Sequence, residues 1–501
     1  MNLLQGTEVW FLTGSQHLYG EEVLTAVEEH ARRITAALQD SPAIPAQVVA
    51  RPPLTGADEI RRTLIDAGTD DRCLGVIAWM HTFSPARMWI SGLSVLRKPL
   101  LHLHTQFDRD LPWGEIDMDY MNLNQSAHGD REFGYIESRM GIARKTVVGH
   151  WADPDVQSRI GTWTRAAAGR REGQKLRVAR FGDNMRDVAV TEGDKVGAQI
   201  ALGVTVNGYG VDALSLAVAQ APPSAVDELV ADYDACYEMS GDLRTGGRRR
   251  ESLVEAARIE AGLRALLGEI GADAFTDTFE DLGALRQLPG IAVQRLMADG
   301  FGFGAEGDWK TAALLRMMKV MAAGLDGGTS FMEDYLYHLG PGGAKALGAH
   351  MLEVCPSIAA ARPTCEIHPL AIGGREDPVR LVFTAPPGPA VVVCLIDLGG
   401  RLRMIANQVD VVDPDEELAR LPVARAVWRP EPELSTAAEA WLMAGGSHHS
   451  VFTMALGVEA LRDLAQMAGI ELVVIDAQTT AARFADELRW NQVYYHLAAG
   501  L

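Results

Sequence analysis

The sequence predicts an α/β protein: two parallel-sheet domains followed by a third built mainly of antiparallel strands. Three observations carry that expectation. Near its start the chain alternates strands that are almost wholly apolar with amphipathic helices, the pattern of a sheet covered on both faces. The alternation restarts after residue 174. From about residue 326 it gives way to short β pieces, which argues for a separate, largely antiparallel layer. At 501 residues the chain is too long for one core, and roughly 150 residues per domain implies three. The expected domains are 1–174, 175–325 and 326–501.

Composition narrows the function. Apolar residues make up 48% of the chain, which is ordinary for a soluble globular protein. A formal net charge of −20 argues against nucleic acid and anionic membrane as partners, because both need a basic face. The five cysteines (Cys73, Cys236, Cys355, Cys365 and Cys394) are odd in number and lack CxxC spacing. That predicts reduced thiols in the cytoplasm, and neither a disulfide frame nor a zinc knuckle. No basic-then-apolar leader precedes the first strand, and no apolar run approaches about 18 residues. The longest, AVVVCLIDL, follows a PPGP break and reads as a strand. The charge run at 244–251 (RTGGRRRE) reads as a solvated loop ahead of a helix.

Taken in order, EVWFLTG is a strand and EEVLTAVEEHARRITAAL a helix, its apolar residues at helical spacing. CLGVIAWM and KPLLHLHT are two further buried strands. Polar and aromatic groups follow each of the three: Ser15 to Tyr19, then His81, Thr82 and Phe83, then Thr105, Gln106 and Phe107. Open parallel sheets bind ligands at such strand C-termini. Gln125 and His128, in NLNQSAHG, add donors and acceptors suited to a sugar. The polar, basic stretch at 150–174 marks the first boundary.

LRVARFGDNM opens the second alternation, its strand ending near Met185, with a helix capped near Thr191. Two long helices, the strand DAFTDTF ending at Phe279, and the helix IAVQRLMAD complete it. Phe279 reads either as core or as a wall of a sugar pocket. The third domain holds RLVFTA, AVVVCLIDLG, RLRMIANQVD and ELVVID.

The chemistry concentrates between residues 301 and 356. Glu306 lies among Gly302, Gly304 and Gly307, just ahead of an amphipathic helix with Asp308 as its N-cap. Glu333 sits in the strand-like SFMEDYLY, and His350 lies between Gly348 and HMLEVCP. By themselves these are equally compatible with three separate polar residues. The pair His448 and His449, after two glycines and between Trp441, Leu442, Met443, Val451 and Phe452, shifts the balance. Both imidazoles are expected to be buried, and buried imidazoles need partners. Residues 302–307 also satisfy GxGxxG, but the preceding IAVQRLMAD reads as helix where a dinucleotide site needs a strand. Glu306 would moreover oppose a pyrophosphate.

Long, non-degenerate blocks now carry a family resemblance. EVWFLTGSQHLYG, WMHTFSPARMWI, HTQF, MDYMNLNQSAHGDREFG, RFGDNMRDVAVTEGDKV, AEGDWKTAALLR, GTSFMEDY, HMLEVCPSIA, AGGSHH and LRWNQVYY resemble L-arabinose isomerase from about Glu8 to Tyr495. The resemblance implies two Rossmann-like domains and a β domain of the fucose/arabinose isomerase type. It implies metal ligands Glu306, Glu333, His350 and His449, with Glu306 and Glu333 also catalytic. Sugar contacts implied are Gln16, Leu18, Tyr19, Phe83, Gln125, His128, Met185, Phe279 and His448, partly reached from a neighbouring subunit. A homohexamer, as a dimer of trimers with the active site at a subunit interface, is implied as well.

Two carboxylates and two imidazoles without a thiolate favour a hard six-coordinate ion such as Mn(II), one per subunit, with Co(II) or Mg(II) as substitutes. Such an ion polarises a carbonyl and acidifies the neighbouring C–H. A glutamate that moves that proton one carbon along performs an aldose–ketose isomerisation through a cis-enediol. The resemblance supplies L-arabinose and L-ribulose, with D-galactose and D-tagatose as a poorer pair, in L-arabinose catabolism. A metal-assisted hydrolase is the alternative within enzymes, although no polymer-recognition module is present. A sugar-binding protein without catalysis is the alternative outside them, and it leaves the metal-type ligands without a purpose.

Overall fold

The near-continuous apolar runs do become parallel strands. In the computed structural model, which describes residues 4–370 and 372–498, the first five are β1 (Glu8–Gly14), β2 (Gln47–Ala50), β3 (Cys73–Met80), β4 (Leu100–His104) and β5 (Lys145–Val148). They form one all-parallel sheet in the order β2-β1-β3-β4-β5. Every residue of β1 and β3 is buried, as expected where helices cover both faces. This sheet belongs to a compact unit that runs to Arg171 and also takes in Glu459–Ala468. Those later residues are tied in by Lys145, whose Nζ lies 2.9 Å from the Glu459 carboxylate and also meets Asp463. The polar stretch at 150–174 is itself helical, Pro154–Lys175. Its apolar side, with Ile160, Trp163 and Ala167, is buried.

The second unit comprises Glu172–Val458 and the described residues from Gly469 onward. Its strands are β6 (Arg177–Phe181), β7 (Thr205–Tyr209), β8 (Glu238–Met239), β9 (Ala274–Thr276), β10 (Gly302–Gly304), β11 (Thr329–His338), β12 (Lys345–Ala349), β13 (Thr364–Ile367), β14 (Val379–Val382), β15 (Gly388–Asp397), β16 (Leu402–Val411), β17 (Arg425–Pro430), β18 (His449–Thr453) and β19 (Glu471–Ile475). A four-stranded parallel sheet runs β10-β9-β6-β7. The helix after β6 is capped by Asp194, which accepts from the Val196 amide, and not near Thr191. Thr191 is buried instead, its hydroxyl accepting from Asn184 and donating to Val188 O.

The remaining strands are mostly antiparallel, as the short β pieces predict. The large sheet has the order β15-β18-β11-β12-β17-β16-β19, and β15 also pairs with β16 along its whole length. Six strands therefore close into a ring and leave no edge among them. β19 adds on in parallel to β16. Among the described residues no helix is long and apolar enough to cross a membrane.

Candidate functional site

The site begins where β10 meets the helix Trp309–Met321. A Cβ on Gly302 would lie 2.1 Å from Ala312 O, and one on Gly304 would lie 2.2 Å from Asp308 O. The glycines let this helix lie directly against its strand, which explains the GxGxxG spacing without a phosphate. The preceding element, Gly290–Ala298, is a helix as expected, while the strand is formed by the glycine pattern itself. The helix is not amphipathic, because all of its residues are buried. It packs against β6, β9 and β10 of the parallel sheet and against β11, β15 and β18 of the ring.

In the connecting turn Glu306 takes φ +59°, a left-handed conformation that costs a side-chain-bearing residue on the order of 1 kcal/mol or more. Two contacts hold it there: the Met185 amide donates to Glu306 O at 3.2 Å, and the Gly307 amide donates to Asp277 O at 2.8 Å. Asp308 caps the helix as predicted, accepting from the amides of Lys310 and Thr311.

Strand register supplies the other groups. In antiparallel β11 and β18, Glu333 is the direct partner of His449, and across β12 it is the partner of Ala349, one residue before His350. His350 Nε2 lies 3.8 Å from Glu333 Oε2, and His449 Nε2 lies 3.8 Å from Glu306 Oε2. Donor atoms of Glu306, His350 and His449 all fall within 4.8 Å of one another. Glu333 stands beside His350 but outside that tighter group of three. Phe331 packs edge-on against both imidazoles, with ring centroids 5.0 Å and 5.1 Å away.

Each buried imidazole is backed by a carboxylate. His449 Nδ1 faces Asp308 Oδ2 at 3.2 Å, and His350 Nδ1 faces Glu353 Oε2 at 2.5 Å. Such a contact keeps the hydrogen on Nδ1 and turns the Nε2 lone pair to the other side. Burial alone would raise the Asp308 carboxyl, but Lys310 and the His449 hydrogen bond hold it well below the usual carboxylate range. His350 is disfavoured as a cation by burial, yet Glu353 raises it above the ordinary imidazole value. Glu306 is held low first by its contact with His448. Burial, with Glu353 nearby, pushes Asp277 up to about 7.

The two adjacent histidines differ from expectation. His449 is fully buried, whereas the His448 side chain is 38% exposed and lies 3.6 Å from Glu306 Oε2. His448 lies just ahead of β18, its ring centroid 4.3 Å from that of His449, and Leu442, expected to help enclose the pair, is itself exposed. Phe279 stacks on His350 with centroids 6.1 Å apart, so it and Met185 join the cluster.

The remaining expected sugar contacts lie in the first unit and gather at the C-terminal ends of β1 and β3. Gln125 Nε2 donates to the Tyr19 hydroxyl at 3.1 Å, and its amide donates to His81 O at 2.9 Å. Phe83 meets His128 edge-to-face at 4.8 Å. Gln16 precedes the short turn that carries Leu18, which is exposed.

Three family models match in succession: the L-arabinose isomerase N-terminal domain over residues 3–175, the central domain over 177–324 and the C-terminal domain over 328–471. The chain belongs to the L-arabinose isomerase family. It is 64% identical to an L-arabinose isomerase of a Nocardioides species, over 99% of this chain and 98% of that one. It is 60% identical to one from an Arthrobacter species, over 99% and 97%, and 58% identical to one from Geobacillus stearothermophilus, over 98% and 99%. At that similarity over full length the chain is an isomerase.

Within the family frame, the donor set suits a divalent cation. His449 Nε2 is buried and has no hydrogen-bond partner, a costly arrangement unless a ligand occupies it. Sequence reasoning missed Glu353 and saw Asp308 only as a cap. The available signals were an acid three residues beyond a histidine at a strand end, and an N-cap two residues beyond a candidate ligand.

Proposed function

We propose that this isomerase interconverts L-arabinose and L-ribulose with a divalent cation held by Glu306, Glu333, His350 and His449, Mn(II) being the expected ion at one per subunit. The observation that carries the reading is the orphaned, carboxylate-backed Nε2 of His449 within 4.8 Å of donor atoms of Glu306 and His350. When bound, the cation would polarise the sugar carbonyl and acidify the adjacent C–H.

The chain's own residues then do the rest. In this reading Glu306 and Glu333 take a proton from one carbon and return it to its neighbour, through a cis-enediol. Asp308 and Glu353 hold the two imidazoles in one tautomer. His448 and Met185, each in contact with Glu306, and Phe279, stacked on His350, line the cluster and would position the sugar. Gln16, Leu18, Tyr19, Phe83, Gln125 and His128 form a second polar and aromatic group suited to hydroxyls. In the reading inherited from the family resemblance, a neighbouring subunit of a homohexamer contributes that group.

D-galactose to D-tagatose is the expected side reaction, and L-arabinose catabolism in the cytoplasm the expected setting. Domains at 1–174, 175–325 and 326–501 belong to the same reading. The test is ketose formation from L-arabinose by the chelator-treated enzyme, before and after Mn(II) is restored. Activity that returns only with the ion supports the reading, and full activity in chelator overturns it.

A further inference from the structure

Lys310 breaks a local rule. It is the second residue of the helix Trp309–Met321, where an ammonium meets the positive end of the helix dipole, and it is only 1% exposed. A buried cation at that position needs full compensation. Its three N–H groups have three oxygens to meet: Thr191 O at 3.0 Å, Glu192 O at 2.6 Å and Asp308 Oδ1 at 3.4 Å.

The Asp308 carboxylate is divided between two tasks. Oδ1 accepts from the amides of Lys310 and Thr311 and faces the lysine, while Oδ2 accepts from the Thr311 hydroxyl at 2.7 Å and from His449 Nδ1 at 3.2 Å. The lysine thus fixes one oxygen and leaves the other directed at the imidazole. It also ties this carboxylate to the segment that ends at Glu192. That segment carries Met185, which is bonded to Glu306 O.

We propose that Lys310 is a positioning residue for His449, acting through Asp308 and anchored at its far end by the carbonyls of Thr191 and Glu192. The inference rests on His449 being a metal ligand. Its consequence is that cation affinity depends on a residue that touches neither the cation nor the sugar. Carboxylates that orient ligating imidazoles typically change metal affinity ten- to a hundredfold when lost, and Lys310 should act at the same scale because it acts on that carboxylate.

The test is a double-mutant cycle on Mn(II) affinity, measured by titration calorimetry on the full-length chain with Lys310→Met, Asp308→Asn and the double variant. Lys310→Met should weaken Mn(II) binding about ten- to a hundredfold. In the Asp308→Asn background the same substitution should change affinity less than about twofold, because no carboxylate remains to orient. Wild-type affinity in Lys310→Met, or an additive loss in the double variant, overturns the proposal. Lys310→Gln, which keeps a donor for the two carbonyls, is carried through the same cycle so that a poorly folding methionine variant does not decide the outcome. Absence of Mn(II) binding by the wild-type chain would instead overturn the metal reading itself.

Discussion

Glu333 and His449 are direct cross-strand partners in antiparallel β11 and β18, although 116 positions separate them in the chain. The same register places Glu333 opposite Ala349 of β12, so that His350 lies one residue past the pair. Direct partners stand about 4.5–5.5 Å apart at Cβ, on one face. The ring of strands therefore assembles the candidate ligands, and a slip of one residue would send His449 to the other face.

Cation removal should be visible in stability as well as activity. Two carboxylates and two carboxylate-backed imidazoles share a partly desolvated pocket, and a cation bound only by the native chain adds about 2.7 kcal/mol at a hundredfold excess over its dissociation constant. Mn(II) should raise the melting temperature measured by calorimetry, and a chelator should lower it. A melting curve indifferent to both would count against the site.

The paired histidines should separate cleanly. His449 is buried, with an orphaned Nε2, whereas His448 is partly exposed and meets Glu306. His449→Ala should abolish tight Mn(II) binding in a calorimetric titration. His448→Ala should retain the ion and lose substrate affinity or turnover. The reverse ranking would shift the ligand assignment by one residue.

The route of the hydrogen is testable in heavy water. Proton transfer by a carboxylate should leave solvent deuterium on carbon 1 of the ketose, because the acid exchanges before it returns the proton. A direct hydride shift excludes solvent deuterium. General-base help is worth about a hundred- to ten-thousandfold, so Glu306→Gln and Glu333→Gln should each lose at least a hundredfold in turnover where metal is retained. Near-normal turnover in both would rule out a glutamate base.

Away from the site, His102 should make the first unit sensitive to alkali. Its imidazole is buried between Asp130 (3.0 Å) and Glu137 (2.8 Å), with Arg144 on Glu137 and His104 on Asp130. Burial works against the cation, yet the hydrogen bonds to Asp130 and Glu137 raise its pKa to about 9. An unfolded histidine titrates near about 6.5. The stabilisation is therefore complete below that pH and is lost as pH rises through 9. Thermal midpoints of the wild-type chain should fall by several degrees between neutral pH and pH 10, on the order of 2–4 °C per kcal/mol for a unit of this size. His102→Gln should start lower and fall less. Parallel curves for the two proteins would remove His102 as the cause.

Much of the fold was legible because parallel strands buried on both faces leave nearly uninterrupted apolar runs, as at 73–80, and because helices repeat at a different period. The start of the helix after β6 is not legible in the sequence, because Thr191 and Asp194 are both good caps on composition alone. Burial decided between them: the Thr191 hydroxyl is engaged by Asn184 and Val188 O, and only the Asp194 carboxylate reaches an amide, that of Val196. The helix Trp309–Met321 reads as amphipathic from the apolar register Ala312, Leu315 and Met318, with Lys310, Arg316 and Lys319 among them. In the folded unit each of these cations is buried against an oxygen: Thr191 O, the Glu172 carboxylate and Thr329 O respectively.

The sequence by itself determined the three-part architecture, the run of candidate ligands and, by resemblance, the family. Those are carried by local periodicity and by uninterrupted blocks of residues, which survive without knowledge of contacts. Only the tertiary structure decided that β15 pairs with β16 to close the ring, that Glu333 stands opposite His449, and that His449 and not His448 is buried. It alone identified Asp308 and Glu353 as the carboxylates behind the imidazoles. The physical reason is that strand register and hydrogen-bond partnership join residues far apart in the chain. Nothing in the local pattern around Lys310, Asp308 or Glu353 records which distant group each will meet.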